Sequence, residues 1–305
     1  MNAIMGRRGL RRGAWGRTRW LVVTLAALAC QALVTEARAE VLPPGALIDG
    51  RSQLDWAEQW WVQLFGIPAA VNPILDTTGE QAFRGDAGPV FFLYGAFTSD
   101  PITRTIDVQA GKTLFVPLLN SYFDNVAPFG DPQSNFTPEE MLALISPDLE
   151  SGVVSLFATI EGVDVLNLVD HRQTTDPSNP ISYTLPSPEN LQADFGLDPT
   201  NGTGIYPATI SPAVQDGYYL ALKPFEVGTT HVLNFGGTTA SGSSIDITYV
   251  LTTVPEPSSI VMLSIGALAL AGVGWRRRGG TGDGKVPGRR PGPLNLIVGR
   301  RSAHR

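Results

Sequence analysis

Cysteine is nearly missing from this 305-residue chain, which has only Cys30. No internal disulfide can form, so the fold rests on its core alone. Histidine is almost as scarce, and only His171 and His231 fall between residues 40 and 253. The chain lacks a Gly-x-Ser-x-Gly elbow, a His-Glu-x-x-His pair and a phosphate-binding Gly-x-x-x-x-Gly-Lys loop. The signatures of serine hydrolases, zinc proteases and nucleotide enzymes are therefore absent. Positive charge is also sparse between residues 40 and 253, where 25 Asp and Glu face six basic residues (Arg51, Arg84, Arg104, Lys112, Arg172, Lys223), a net −19. The whole-chain value of −6 conceals this because the basic residues gather at the two ends. Such a surface repels a phosphate backbone and excludes nucleic acid as a partner. It suits divalent cations, basic proteins or uncharged polymers, and equally a soluble acidic protein that avoids sticking to an anionic cell surface.

What is present begins with those ends. Residues 1–20 hold six arginines, LVVTLAALA follows, and Ala37-Arg38-Ala39 precedes Glu40. This order of basic, apolar and small-residue regions predicts a secretory signal peptide over 1–39, cut by signal peptidase after Ala39. Arg7-Arg8 also allows a twin-arginine reading, although the apolar core starts a dozen residues later. Cys30 is read as apolar filler, since the residues before it match a lipoprotein signal weakly.

Near the other end, Ser258 to Trp275 runs 18 residues without a charge. As a helix it reaches roughly 27 Å, close to the bilayer's hydrocarbon thickness of about 30 Å. Trp275 supplies an interfacial aromatic, and Arg276, Arg277 and Arg278 a positive-inside stop. The expectation is a transmembrane helix over 258–275, contacting membrane lipid, with residues 40–253 exported across the inner membrane. Residues 279–305, rich in Gly, Pro and Arg, are expected to form a disordered basic tail.

Val254-Pro255-Glu256-Pro257, an apolar segment and an arginine cluster together resemble the PEP-CTERM sorting signal of Gram-negative bacteria. The resemblance covers about 25 residues, 254–278. It implies that Pro255, Glu256 and Pro257 are the motif read by an exosortase, a membrane transpeptidase-like protease, during sorting to the envelope surface or extracellular matrix. In that family such sorting often accompanies exopolysaccharide production. The motif makes physical sense, because proline cannot continue a helix and biases its neighbour toward extended backbone. The 27-residue tail departs from the family pattern, which ends within a few residues of the arginines.

The exported part reads as mainly β. Six runs, at Pro89–Phe97, Lys112–Asn120, Gly152–Gly162, Tyr218–Phe225, Thr230–Gly237 and Ser244–Thr253, are rich in β-branched and aromatic residues between Gly, Pro, Asp and Asn. In the last, Ile245, Ile247, Tyr249 and Leu251 share one face. Ser52-x-x-Asp55 and Thr137-Pro138-Glu139-Glu140 open two short helices with capping boxes. The expected architecture is an antiparallel, immunoglobulin-like β-sandwich with a short N-terminal helix and one further short helix. The stretch WAEQWWVQLFGIPAAVNPILDTTGEQAFRGDAGPVFFLYG and the turn at Ala110–Lys112 resemble exported bacterial proteins to which no activity is attached.

Candidate chemistry is thin, and no catalytic residue is assigned. Asp170-His171-Arg172 offers an acid beside a base but no nucleophile. Paired carboxylates can support glycoside hydrolysis, yet 25 acids allow no choice of pair. Asp76 with Glu80, and Asp198 with Asn201, carry oxygen ligands suited to calcium, though turn chemistry explains them equally. In Ser52–Phe65, Leu54, Ala57, Trp61, Leu64 and Phe65 form the expected core stripe, leaving Trp56 and Trp60 on its flank, where they serve as a glycan platform, or belong to a helix buried on two sides, or cover a sheet edge. Two functions remain: a surface-sorted structural or matrix protein, and a carbohydrate-binding module or glycan-active enzyme acting on exopolysaccharide.

Overall fold

The computed structural model describes residues 40–256. Two main sheets pack face to face. The first contains β1 (Asp86–Ala87), β2 (Val90–Phe92), β4 (Thr113–Asp124), β11 (Ala208–Leu222) and β8 (Arg172–Thr174) in that order, with β9 (Ile181–Leu185) also pairing with β11. The second has the order β3 (Ile102–Gln109), β13 (Ser244–Val254), β12 (Thr230–Thr239), β6 (Val153–Ile160) and β7 (Val163–Asp164). A two-stranded ribbon joins β5 (Ala127–Pro128) to β10 (Leu197–Asp198). The helices are α1 (Gln53–Gly66), α2 (Pro138–Glu150) and the single turn α3 (Leu191–Asp194). Among the described residues no helix is long and apolar enough to cross a membrane, and the expected span at 258–275 lies outside them.

The chain is mainly β, but its two main sheets are mixed where antiparallel sheets are expected. Each sheet contains a parallel pair, β2 with β4 and β3 with β13, so both are mixed. β2 and β4 run parallel because the chain crosses to the second sheet as β3 between them, and the last strand, β13, inserts between β3 and β12 parallel to β3. Sequence runs identify strands; they carry no sign of the direction in which two distant runs will pair. The run expected over Tyr218–Phe225 is the last part of the 15-residue β11, which stops at Leu222. Strands β3 and β9 were not among the six expected runs.

Burial explains why some strands read as unbroken apolar runs. In β4, Leu114, Val116 and Leu118 face the second sheet, whereas Phe115 faces α1. In β11, Tyr218, Leu220 and Leu222 face the second sheet, and Tyr219 and Ala221 face α1. The first sheet is thus buried on both faces, which removes the polar half of its alternation. The second sheet keeps one solvated face. Its β3 alternates strictly, with Ile102, Arg104, Ile106 and Val108 buried and Thr103, Thr105 and Asp107 exposed. In β13, Ile247, Tyr249 and Leu251 point into the core as expected.

Both capping boxes form. Ser52 Oγ accepts from the Asp55 amide at 3.0 Å while Asp55 Oδ2 accepts from the Ser52 amide at 2.9 Å. Thr137 and Glu140 repeat the exchange at the start of α2.

Arg104 occupies an inward position on β3 and is completely buried. Its Nη1 donates to Tyr94 O at 2.7 Å and to the Tyr249 hydroxyl at 2.8 Å, and its Nη2 to Pro73 O and Asp76 O at 2.9 and 2.7 Å. The Tyr249 hydroxyl in turn donates to Tyr94 O at 3.0 Å. One guanidinium therefore ties the second sheet to the segment after β2 and to the 73–76 loop. Replacing it strands several buried acceptors at once, at a cost of about 3–5 kcal/mol. Arg104→Ala should lower the stability of this β domain by that amount in urea denaturation, and a loss below about 1 kcal/mol would show that the fold does not use this clamp.

Candidate functional site

The chain exit is the first feature with functional geometry. Strand β13 lies between β12 and β3 until its last residue, Val254, which sits beside Gln109 of β3. Val254 O accepts from the Ala110 amide at 2.9 Å, and Thr253 O accepts from the Gly228 amide at 2.8 Å. Pro255 and Glu256 follow without a linker and are exposed. A Cβ added at Gly111 would lie 3.8 Å from the Glu256 carboxylate, so this acid rests beside the β3–β4 turn.

The other end of the described chain emerges at the same pole. Glu40 O accepts from the Lys223 amide at 2.9 Å, its carboxylate meets Lys223 Nζ at 2.6 Å, and Val41 bridges to Leu222 at the end of β11. Only the short stretch between Lys223 and Gly228 separates the Glu40 contact from the Thr253 contact. Entry and exit thus share one end of the two-sheet body.

The tryptophan platform is corrected. Trp56 and Trp60 retain 3% and 0% of their surface and belong to the core between α1 and the first sheet. Their indole N–H groups are consumed by Ile48 O at 3.0 Å and Leu93 O at 2.8 Å. The buried stripe of α1, Gln53, Trp56, Ala57, Trp60, Trp61, Leu64 and Phe65, covers an arc of roughly 180° at 100° per residue, wider than an amphipathic stripe requires. Leu54, expected in the stripe, is only partly buried.

The calcium expectation meets carboxylates already occupied. Asp76 Oδ1 accepts from the Thr78 amide, the Thr78 hydroxyl and the Gly79 amide at 2.8, 2.7 and 3.0 Å, and its Oδ2 from the Gln81 amide at 2.7 Å. Partial burial pushes the Asp76 carboxyl up, but these donors outweigh it and hold the pKa below the ordinary value. The Thr200 hydroxyl at 2.6 Å is the main cause of a lowered pKa at Asp198, which also receives the amides of Thr200 and Gly202. Glu80 and Asn201 are exposed, Asn201 in the left-handed turn that its short side chain tolerates. No group of three or more His, Cys, Asp or Glu is gathered for a metal among the described residues.

Asp170 and His171 form no acid–base pair. His171 is buried on a 3₁₀ turn with Nδ1 unpartnered, and burial lowers its pKa against the pull of Asp170. Arg172 turns instead to Asp216. His231 lies against the Phe225 ring and bonds Glu161 and Thr229.

Two polar clusters escaped the sequence reading because their members are far apart along the chain. The fully buried Asp216 receives Arg172 Nε and Nη2 at 2.9 and 2.7 Å, the Ser146 hydroxyl at 2.6 Å and the Thr174 hydroxyl at 2.9 Å. This joins α2, β8 and β11. Asp124 Oδ2 accepts from the hydroxyls of Tyr122 and Tyr183 and from Gln192, while its Oδ1 takes the Val126 amide. In both clusters the carboxylate oxygens are occupied from within, as a structural staple requires.

These observations define a mainly β domain whose last strand runs directly into Pro255 and Glu256, followed in the sequence by an uncharged apolar segment and an arginine cluster. Residues 253–278 match the family model of the PEP-CTERM protein-sorting motif, so the chain carries that motif. That motif marks an exported protein processed by exosortase and destined for the cell surface. No curated protein and no solved structure matches the chain. Ala37, Ala39, Pro257 and Arg276 to Arg278 lie outside the described residues.

The Asp76 loop yields a pH prediction. A depressed folded pKa contributes stability above the unfolded value of about 3.9, which is lost as pH falls through the folded value. Asp76→Asn should therefore destabilise the domain at pH 7 and flatten its loss of stability below about pH 4. Millimolar calcium and chelator should leave the thermal midpoint unchanged in the parent; a calcium-dependent rise would contradict the view that this loop is saturated by its own amides.

Proposed function

We propose that the protein is a surface-sorted structural component of the cell envelope or its matrix, held briefly at the membrane by residues 258–275 and released by processing at Pro255-Glu256-Pro257. The observation that carries this reading is the exit of β13: the recognition motif begins where the sheet ends, with Val254 still hydrogen-bonded to Ala110. A protease acting there meets unwound chain, because Pro255 blocks continuation of regular pairing. Signal peptidase would cut after Ala39, and Arg276 to Arg278 would orient the precursor with its tail in the cytoplasm.

The surface of the exported part supports a solvated, non-adhesive role through its net −19 charge. A glycan role built on Trp56 and Trp60 loses its support, since neither ring is exposed. The extended tail leaves one rival within the same reading, a precursor that keeps its anchor.

Intact-mass measurement of the protein recovered from the cell exterior separates these outcomes. The parent should have lost both the signal peptide and the segment after the motif, whereas Glu256→Ala should accumulate in the membrane at the unprocessed mass. A Glu256→Ala protein that reaches the exterior with the parental mass would refute recognition through this motif. A parent retained whole in the membrane would establish permanent anchoring.

A further inference from the structure

At the pole opposite the chain exit, a cavity of about 380 Å³ opens between the segment after β2, the middle of β4 and the β12–β13 turn. Ser244, on its rim, is ten residues upstream of Val254 on the same strand, roughly 33 Å away at about 3.3 Å per residue. The volume falls within the usual range for small-ligand sites, about 300–1,000 Å³. The wall contains no ionisable side chain, in a domain whose net charge is −19.

The wall divides by chemistry. Phe97 and the half-buried Ile245 contribute apolar surface, and Trp61 a 6% edge with its N–H already committed to the Tyr219 hydroxyl at 3.1 Å, while the fully buried Trp60 lies behind them. Phe97 flanks the mouth with 59% of its surface exposed, and Phe195 supports it edge-to-face at a ring separation of 5.2 Å. An exposed aromatic pair beside a cavity is a costly arrangement unless something covers it.

Asn120 supplies the opposing polar group. Its Nδ2 donates to Tyr219 at 3.1 Å, and the Tyr219 hydroxyl donates onward to Gln215 Oε1 at 2.8 Å, both of these partners being fully buried. This fixes the amide orientation and directs Nδ2 inward, leaving Oδ1 as an acceptor without a donor among the described residues. Gly217, opposite Asn120 on β11, makes room for it; a Cβ there would lie 2.5 Å from Asn120 Cβ. The hydroxyls of Ser99 and Ser243 complete a neutral polar rim.

We propose that this cavity binds a neutral sugar ring. A sugar has an apolar face for the aromatic and aliphatic wall and hydroxyls that donate to Asn120 Oδ1 and exchange hydrogen bonds with the serines. A hydrocarbon would leave the oriented amide unpaired. An anionic ligand would enter a negatively charged domain without a cation to receive it. The site does not involve Trp56, and the fully buried Trp60 only backs its wall. It is independent of the sorting reading, because binding is measured on recovered protein whatever its processing.

The test is titration calorimetry of the exported protein against neutral mono- and oligosaccharides of glucose, galactose and mannose, with matched uronic acids as the anionic arm. At least one neutral sugar should bind. Ser99→Trp, which blocks the mouth from an exposed position, and Asn120→Ala should each weaken binding roughly tenfold or more, with the thermal midpoint of Ser99→Trp unchanged. Uronic acids should bind at least tenfold more weakly than their neutral counterparts. The proposal is overturned if no neutral sugar binds, if Ser99→Trp binds as the parent does, or if the uronic acids bind equally well.

Discussion

Double-sided burial of the first sheet is the constraint on which the rest depends. Strands β2, β4 and β11 send alternate residues into two different cores, one shared with the second sheet and one shared with α1. Without a cover, the outer face would expose Phe92, Phe115, Tyr219 and Tyr183 to water. The tryptophan-rich helix is that cover, and its unusual composition follows from the breadth of the face it must fill. Large rings serve where a sheet surface is broad and already aromatic: Trp60 meets Tyr94 at 5.3 Å, and Phe65 stacks on Tyr183 at 4.6 Å. Fully buried indoles need partners for their N–H groups, which is why Ile48 O, Leu93 O and Tyr219 lie at the ends of the three rings.

The same constraint explains what could be read from the sequence and what could not. Six strand positions were legible because apolar runs bounded by turn residues need no knowledge of partners, and both main helices were legible from local capping boxes. The buried face of α1 is wider than the stripe its apolar spacing suggests, because a helix against an aromatic sheet buries about half its circumference. Strand β3 is hard to read from sequence because Arg104 and the threonines between its apolar residues disguise an alternating pattern. Its inward arginine becomes sensible only once the carbonyls of Pro73, Asp76 and Tyr94 converge on it. The acidic loops show the reverse case: Asp76 and Asp198 resembled cation ligands, and their own backbones supply the donors.

Function divides along the length of β13. At its end, a central strand passes directly into the sorting motif, so the destination of the protein is encoded beside a rigid sheet edge. At its start lies the neutral cavity. No short motif could have disclosed that cavity, because its walls come from segments near residues 60, 97, 119 and 244 that only the fold assembles. Address and binding thus reside at opposite poles, and the signal was the legible one because it is contiguous.

The burial of α1 can be measured directly, since Trp56, Trp60 and Trp61 are the only tryptophans between residues 40 and 256. Tryptophan emission of the exported, processed protein therefore reports on this helix alone. The account predicts blue-shifted emission that iodide barely quenches until the domain is unfolded in denaturant. Red-shifted emission, quenched in the native protein as strongly as in the unfolded one, would contradict it.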